Sequence, residues 1–444
     1  MILNSFFSHS QKMCSALYQK SVVLKNLNLL IFINIILLIL FSTVLPSDSL
    51  AYFAIITIFL TLIKLLVKPD EKLTFTTPEI FLLIYFILVL ISVAGSSLFM
   101  LSLKGFCKTL VYLGFYISFV NFLKDSKGKL KYILLALAIC LLGESIIAIK
   151  QNFLSVAEIS GWQDMSRLNP EQIMTRVYGS IKPYNPNLFG GYLIAILPAS
   201  LILVFLPLIN KHYKTASCGL LCFLAGVSTI ILTGCRGAYL SLFVQLILLG
   251  ILTYKFLKPI YKKLFIIISG TISSLLFALI LSKAALRARI FSIFAMRNDS
   301  SNSFRFNVYN SCIEMFKDNW LLGIGVGNQN FREIYGLYMR TGFDALSAYN
   351  IYLEIAIESG IFALISFLLF IVVSMKNAIS YTIKRSNINS IYLAIAIMSL
   401  SGILVHGFVD TVFFRPQIQF VFWMMMGIIR VFAFTRSSND RNRT

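Results

Sequence analysis

The sequence predicts an all-α protein: a polytopic bundle of transmembrane helices with two large, partly helical loops on one face of the membrane. Two observations lead to this prediction. Hydrophobic residues make up 58% of the chain, whereas charged residues make up only 13%, about half of their share in a soluble globular domain. The apolar residues also form long blocks, each close to the roughly 20 residues that a helix needs to cross a bilayer.

Twelve apolar blocks are long enough to be membrane spans. Short connections such as 45–48 and 233–236 join several of them, which predicts helical hairpins. A transmembrane β-barrel is excluded, because its strands alternate with a period of two and are only about ten residues long. The predicted spans are 26–46, 50–67, 78–97, 105–122, 131–149, 187–209, 215–233, 237–256, 262–282, 349–375, 389–408 and 414–434.

The distribution of lysine and arginine predicts the orientation of the bundle. If the N-terminus is cytoplasmic, the inside segments carry 23 of these residues and the short outside connections carry four. Both termini, 1–25 and 435–444, are therefore predicted to be cytoplasmic, in a bacterial plasma membrane. The net charge of +21 is then mainly a topology signal and does not indicate a nucleic-acid partner.

Two long loops, 150–186 and 283–348, interrupt the spans, and this topology places both outside. Loops of this length are usually functional. The second carries eight basic and five acidic residues, and amphipathic helices are predicted near 287–297 and over 305–320. Arginine forks and helix N-termini both suit anions, which predicts an anion site on the outer face. The alternative is that these arginines are solvated or contact lipid headgroups.

Arg236 is the most specific candidate for an anion ligand. It lies between two predicted spans, and the flanking Gly234 and Gly237 allow a tight turn that brings the backbone close to a ligand. The alternative is an interfacial arginine that extends to the lipid headgroups.

Several other polar residues lie in or beside the predicted spans. Glu144 lies inside the fifth span, where an ionisable group is a functional hypothesis by default, although it could instead pair with Lys108. Asn185 and Asn187 flank a proline at the start of the sixth span and would cap it. Asn350 and Glu354 share one face near the start of the tenth span.

Together these motifs resemble the O-antigen ligase and polymerase superfamily. The resemblance covers most of residues 100–375 and rests on an ordered set of segments: 185–187, 233–238, Arg305, 322–328 and 349–360. Residues 292–308 and 344–349 resemble a narrower branch, the cyanobacterial inorganic-carbon (bicarbonate) transporter family.

This resemblance implies roles for individual residues. Ligases of the superfamily transfer a glycan from an undecaprenyl-diphosphate carrier, with outer-loop arginines holding the diphosphate and a histidine at the tenth span activating the acceptor. Arg236 and Arg305 match the arginines, but Tyr349 occupies the position of the histidine. Tyrosine, with an ordinary pKa near 10, is a poor base at neutral pH. No other histidine replaces the missing one in the sequence.

Three functions stay open at this point. Transfer or polymerisation of a polyprenyl-diphosphate-linked glycan is favoured, because the charged candidates cluster outside and no paired broken helices typical of transporters are seen. The family branch instead implies bicarbonate uptake. A third alternative is a non-catalytic accessory subunit. No cofactor is predicted, and Cys218 and Cys222 lack two further ligands for a zinc site.

Overall fold

The computed structural model describes residues 21–67, 75–153 and 175–434, and every regular element in these ranges is a helix. Eleven of the described helices are long and apolar enough to cross a membrane, and a shorter apolar helix, Leu27–Phe41, precedes them. Each of the twelve predicted spans coincides with one of these helices. The predicted all-α polytopic bundle is therefore confirmed, while residues 154–174 of the first long loop lie outside the described ranges.

The helices are numbered along the chain. They are α1 (Val22–Lys25), α2 (Leu27–Phe41), α3 (Leu50–Val67), α4 (Thr77–Ala94), α5 (Phe99–Asp125), α6 (Leu130–Phe153), α7 (Pro186–Ile196), α8 (Ile202–Ile209), α9 (Tyr213–Leu232), α10 (Arg236–Phe256), α11 (Pro259–Ser282), α12 (Ala284–Phe291), α13 (Ser300–Asn319), α14 (Asn328–Tyr335), α15 (Ile351–Lys384), α16 (Ile388–His406) and α17 (Pro416–Ala433). A 3₁₀ segment, Leu197–Leu201, joins α7 to α8 within one span.

Local sequence explains where the helices begin. Asn185 and Asn350 cap α7 and α15, because each side-chain oxygen accepts hydrogen bonds from two backbone N–H groups of the first turn. The predicted capping role of Asn185 is thus seen directly. A capping box between Thr76 and Glu79 begins α4. Proline in the first turn of α7, α11 and α17 costs no hydrogen bond, since those N–H groups have no partner within the helix.

Helix α17 lies at the centre of the bundle. Every residue from Gln417 to Phe432 is buried, and the helix packs against α5, α15 and α16. Helix α15 packs along α4 and is kinked at Gly360, whose φ is 81°. A side chain at Gly360 would collide with the carbonyl oxygen of Leu321, so glycine permits the large loop to approach the kink closely.

The second long loop folds against one end of the bundle, called here the loop end. It carries α12 to α14, and the first two differ in bounds from the prediction. Helix α12 runs from Ala284 to Phe291, whereas a helix near 287–297 was expected. That prediction was wrong because the chain turns at 292–295 before the next capped helix begins. The helix predicted over 305–320 is α13, which begins five residues earlier at the Asp299 cap.

Buried ion pairs hold the opposite end of the bundle together. The Nζ atom of Lys64 lies 2.5 Å from an Asp125 carboxylate oxygen, and the Nε atom of Arg430 lies 2.7 Å from a Glu79 oxygen. Charges among membrane spans are costly unless they are paired. These pairs tie α3 to α5 and α4 to α17, far from the loop end.

The topology yields a labelling prediction. In a variant whose exposed or undescribed cysteines (Cys14, Cys107 and Cys218) are replaced by serine, Ser300→Cys should react with a membrane-impermeant maleimide in intact cells. Gly128→Cys is the matched control at the opposite end, where a side chain meets nothing within 4 Å, and it should react only after cell lysis. The reverse pattern would overturn the predicted orientation.

Candidate functional site

A cavity of about 1000 Å³ opens at the loop end. This volume lies at the upper end of the roughly 300–1,000 Å³ typical of ligand sites. Connections between α2 and α3, between α6 and α7, between α9 and α10 and between α16 and α17 contribute to its wall, as does the large loop. Seven lysines and arginines but only four carboxylates are among the described lining residues, so the cavity is basic.

Arg236 lines this cavity at the first turn of α10. Its side chain is only 7% exposed, and one guanidinium nitrogen lies 2.8 Å from the carboxylate of Asp299. The same nitrogen donates to the backbone carbonyl and hydroxyl of Ser292, each at 3.3 Å. Asp299 also caps α13, the helix that carries Arg305. Asp299 therefore connects Arg236 to α13, the helix that carries Arg305.

Arg305 lines the same cavity. Its guanidinium donates to the carboxylate of Asp410 at 3.4 Å and lies over the ring of Tyr349, 5.6 Å from the ring centre. The structure thus brings together the two arginines and the tyrosine, which are separated by up to 113 positions in the sequence. Asp410, between α16 and α17, was not identified from the sequence, although an acidic residue at the end of a span was a signal that could have been used.

Arg176 is a further cavity residue that the sequence analysis missed. It is 4% exposed, and it donates to the Thr233 carbonyl at 2.8 Å and to the Asn187 side-chain oxygen at 2.6 Å. The Asn187 amide in turn donates to Asp410 at 3.3 Å. Asn187 therefore links Arg176 to the carboxylate that pairs with Arg305. Arg176 lies in the first long loop, where no helical pattern marked it as a candidate.

Arg289 of α12 completes a cluster of four arginines: Arg176, Arg236, Arg289 and Arg305. It donates to the Gly234 carbonyl at 2.7 Å. Burial, and then the charges of Arg176 and Arg236, lower the pKa of Arg289. Burial likewise lowers the pKa of Arg176. Like charges held close in a low-dielectric site repel, so an anion that entered the cluster would be bound favourably.

Tyr349 has an unusual backbone conformation. Its φ is +50°, a left-handed value that costs a non-glycine residue energy and is often found at functional sites. Its carbonyl accepts a hydrogen bond from the Tyr309 hydroxyl at 3.1 Å. Burial, and then the charge of Asp410, raise the pKa of Tyr349, so its hydroxyl stays protonated at neutral pH. A protonated hydroxyl can donate a hydrogen bond but cannot take up a proton.

Other predicted site residues have structural roles in this conformation. Glu144 does not line the cavity; it accepts the backbone N–H of Ser180 at 2.9 Å and so fastens the end of the first loop. The proposed pairing of Glu144 with Lys108 is wrong, because Lys108 lies 3.6 Å from Asp48, in the neighbouring connection. Lys108 does line the cavity. Asn350, besides capping α15, donates to the Phe408 carbonyl at 3.1 Å.

Glu354 lies in the cavity wall, as does Glu358 one turn further along α15. Each carboxylate accepts one backbone N–H from the large loop: Glu354 from Ala348 and Glu358 from Gly327, both at 2.9 Å. Buried carboxylates are costly unless they are bonded in this way. These two hydrogen bonds fix the large loop against α15 at the cavity wall.

His406 and Cys235 form a contact at the base of the arginine cluster. The sulfur and the His406 Nε2 atom are 3.5 Å apart, and both residues are buried in the cavity wall. Burial raises the pKa of the Cys235 thiol, but His406 and Arg176 lower it by a larger amount. The resulting pKa is about 7, below the ordinary value of a thiol. His406 does not occupy the position of the ligase histidine in the sequence, and it was not identified there as a site residue. Among the described residues there is no group of three or more metal-ligating side chains.

Comparisons with known proteins agree with this architecture. Residues 220–368 match the family model described as O-antigen ligase. The match runs from within α9 to the first half of α15 and so includes Arg236, Arg305 and Tyr349. It supports an integral membrane protein of the O-antigen ligase type and does not single out the inorganic-carbon branch.

A protein of Haemophilus influenzae, described as an uncharacterized protein, is 27% identical over 236 residues. The alignment covers 50% of this chain and 57% of the relative. The chain thus spans little more than half the length of this relative, and the likeness carries no functional assignment of its own.

The turn before Arg236 gives a stability prediction. Gly234 has a φ of +60°, and a side chain there would approach Arg176 to 3.1 Å. Gly234→Ala should therefore destabilise the protein by about 1–2 kcal/mol, the cost of a left-handed residue. Gly250→Ala is the control, since Gly250 lies inside α10 with nothing within 4 Å. Thermal unfolding in detergent measures both; equal melting temperatures would contradict the strained turn.

Proposed function

We propose that this protein binds a polyprenyl-diphosphate-linked glycan at the loop end and transfers the glycan to an acceptor hydroxyl, either as a ligase or as a polymerase. The observation that carries the proposal is the cluster of four arginines, two of them buried and two half-buried, in one cavity at the end of a membrane bundle. The match of residues 220–368 to the O-antigen ligase family supports it. The predicted orientation makes this the outer face of the plasma membrane.

The chemistry of the cluster suits a diphosphate. Each guanidinium can donate two parallel hydrogen bonds to phosphate oxygens, which a lysine cannot do. In this structure Arg236 forms an ion pair with Asp299, and Arg305 forms one with Asp410. A diphosphate carries more charge than either carboxylate and would replace them as the partner, while the polyprenyl chain remains in the lipid.

Transfer requires one bond to form and another to break. The acceptor oxygen bonds to the anomeric carbon, the bond from that carbon to the diphosphate oxygen breaks, and the electron pair leaves with the polyprenyl diphosphate. The arginines stabilise the charge that develops on the leaving group, which is where electrostatic catalysis contributes most. The acceptor proton passes to Asp410, the carboxylate beside Arg305. Tyr349 orients the reacting groups by donating a hydrogen bond.

Replacing the arginines tests the binding step. Arg236→Lys and Arg305→Lys keep the charge but lose the bidentate fork, so each should weaken binding of undecaprenyl diphosphate by roughly tenfold or more, about 1.4 kcal/mol. Arg340→Lys is the control, because Arg340 is exposed in the same loop and does not line the cavity. Affinity is measured on protein in lipid nanodiscs. Equal affinities for all three variants would sink the proposal.

Replacing the groups near Arg305 tests the chemical step. Tyr349→Phe removes only the hydroxyl, and Asp410→Asn removes only the charge. Each should lower the rate of glycan transfer in proteoliposomes by roughly 10²-fold or more, the scale of general acid–base catalysis, while leaving undecaprenyl diphosphate bound. Full activity of Asp410→Asn would exclude it as the base. Tyr349→His restores the histidine that ligases of the superfamily carry at this position. A gain in glycan transfer by this variant would support a ligase site.

Bicarbonate uptake remains the alternative that follows from the family branch. It predicts that proteoliposomes take up radiolabelled bicarbonate and that a deletion strain loses uptake while its surface polysaccharide stays intact. The opposite phenotype, loss of polysaccharide with normal uptake, is expected from the proposed function.

A further inference from the structure

The part of the cavity lined by α4, α15 and α17 is called here the deep arm, and it is defined by Tyr85, Glu354, Glu358, Gln419 and Trp423. Tyr85 lies nine residues from the end of α4 at Ala94, which places it about 13 Å below the loop end at the helical rise per residue. Glu358 lies in the second turn of α15. The arm therefore extends between the spans, into the depth of the bundle.

The polar side chains of the deep arm are buried but keep unused hydrogen-bonding atoms. Glu354, Glu358 and Gln419 are 4%, 7% and 6% exposed. One oxygen of each carboxylate accepts a loop N–H, and the Gln419 oxygen accepts the Trp423 indole N–H at 2.8 Å. Within the described part of the chain, the second oxygen of each carboxylate and the Gln419 amide nitrogen have no hydrogen-bond partner.

The orientation of the Gln419 amide follows from its neighbour. An indole N–H can only donate, so the amide oxygen must face Trp423 and the NH₂ group faces the cavity. The arm thus presents two acceptor carboxylates, one amide donor and the Tyr85 hydroxyl. Convergent donors and acceptors that line an open cavity suit a ligand with complementary groups.

Aromatic rings form the remaining wall of the arm. The ring centres of Tyr85 and Phe367 are 5.3 Å apart, and those of Phe367 and Phe413 are 6.3 Å apart. Trp423 lines the cavity beside Gln419. Flat apolar faces next to convergent donors and acceptors match a ring that carries hydroxyls at its edge and C–H groups on its face.

We propose that the deep arm binds one sugar unit that carries no acidic group, such as a neutral or N-acetylated sugar, and this rests on the proposed glycan transfer. Sugar hydroxyls donate to the free carboxylate oxygens and accept from Gln419. A polyprenyl chain would leave these polar atoms unpaired, and a carboxylated sugar would be repelled by Glu354 and Glu358. The sugar belongs either to the lipid-linked donor or to the acceptor, since both offer the same hydroxyl chemistry.

The donor is tested by binding to the full-length protein in nanodiscs. The probes are undecaprenyl diphosphate alone and the same carrier bearing N-acetylglucosamine or glucuronic acid. We expect N-acetylglucosamine to strengthen binding roughly tenfold, the worth of two or three hydrogen bonds, and glucuronic acid to give no gain. The acceptor is tested with a soluble neutral oligosaccharide added to protein already loaded with undecaprenyl diphosphate.

Variants of the arm assign the effect to its residues. Gln419→Leu should abolish the gain from the sugar. Glu358→Gln keeps the acceptor for Gly327 and leaves Glu354 in place, so it should narrow the difference in affinity between the glucuronic acid probe and the neutral one. Gln417→Leu is the control: it is the same substitution on α17, at a side chain that binds Ser47 and does not line the cavity. Bare undecaprenyl diphosphate should bind the Gln417→Leu control as it binds the wild type.

The outcomes separate this inference from the proposed function. A sugar gain in the donor experiment, or in the acceptor experiment alone, supports the arm and identifies the source of the sugar. If bare undecaprenyl diphosphate binds in an Arg236-dependent manner but no sugar adds affinity in either experiment, the arm proposal is overturned while diphosphate binding stands. If bare carrier does not bind at all, the proposed function fails. Equal affinity of the wild type for the acidic and neutral probes would overturn the selectivity.

Discussion

The repulsion among four arginines at one end of a membrane bundle is the interaction on which the rest of the loop end depends. Charges removed from water are tolerated only where they are paired and hydrogen-bonded. Here Asp299 and Asp410 provide opposite charges, and the carbonyls of Thr233 and Gly234 each accept one N–H group, from Arg176 and Arg289 respectively. Each of these partners lies in a connection between helices, so the cluster determines how the loops are arranged.

This arrangement explains why the loop end is built from distant parts of the chain. Asp299 both pairs with Arg236 and caps the helix that carries Arg305. Asn187 joins Arg176 to Asp410, and Asp410 pairs with Arg305. The spans provide a rigid frame in which four connections meet. A ligand that displaced one carboxylate would therefore alter contacts throughout the cluster, which gives binding a route to reorganise the cavity.

The cavity has an uneven distribution of charge that fits a substrate with two chemical parts. The arginines lie towards the loop end, whereas the carboxylates of Glu354 and Glu358 lie along α15 towards the interior. A diphosphate suits the first region and hydroxyl groups suit the second. A small anion such as bicarbonate would use only the first. The loop segment that ends at Gly327 connects the regions, since its backbone N–H binds Glu358.

The amino-acid sequence by itself determined the helical architecture, because lipid selects for apolar blocks whose backbone hydrogen bonds are satisfied within one helix. The twelve predicted spans, the cap at Asn185 and the approximate position of α13 followed from such local rules. The choice of Arg236, Arg305 and Tyr349 came from motifs and resemblance, and their shared cavity is a property that local rules do not contain. Arg176, Asp299, Asp410 and His406 were missed as site residues, because their significance lies in contacts between connections far apart in the chain. Only the tertiary structure decided that Lys108 pairs with Asp48 and that Glu144 fastens the end of the first loop. It also decided that Glu354, Glu358 and Gln419 line one cavity. The physical reason is that spacing along a helix predicts a shared face but not what lies opposite that face.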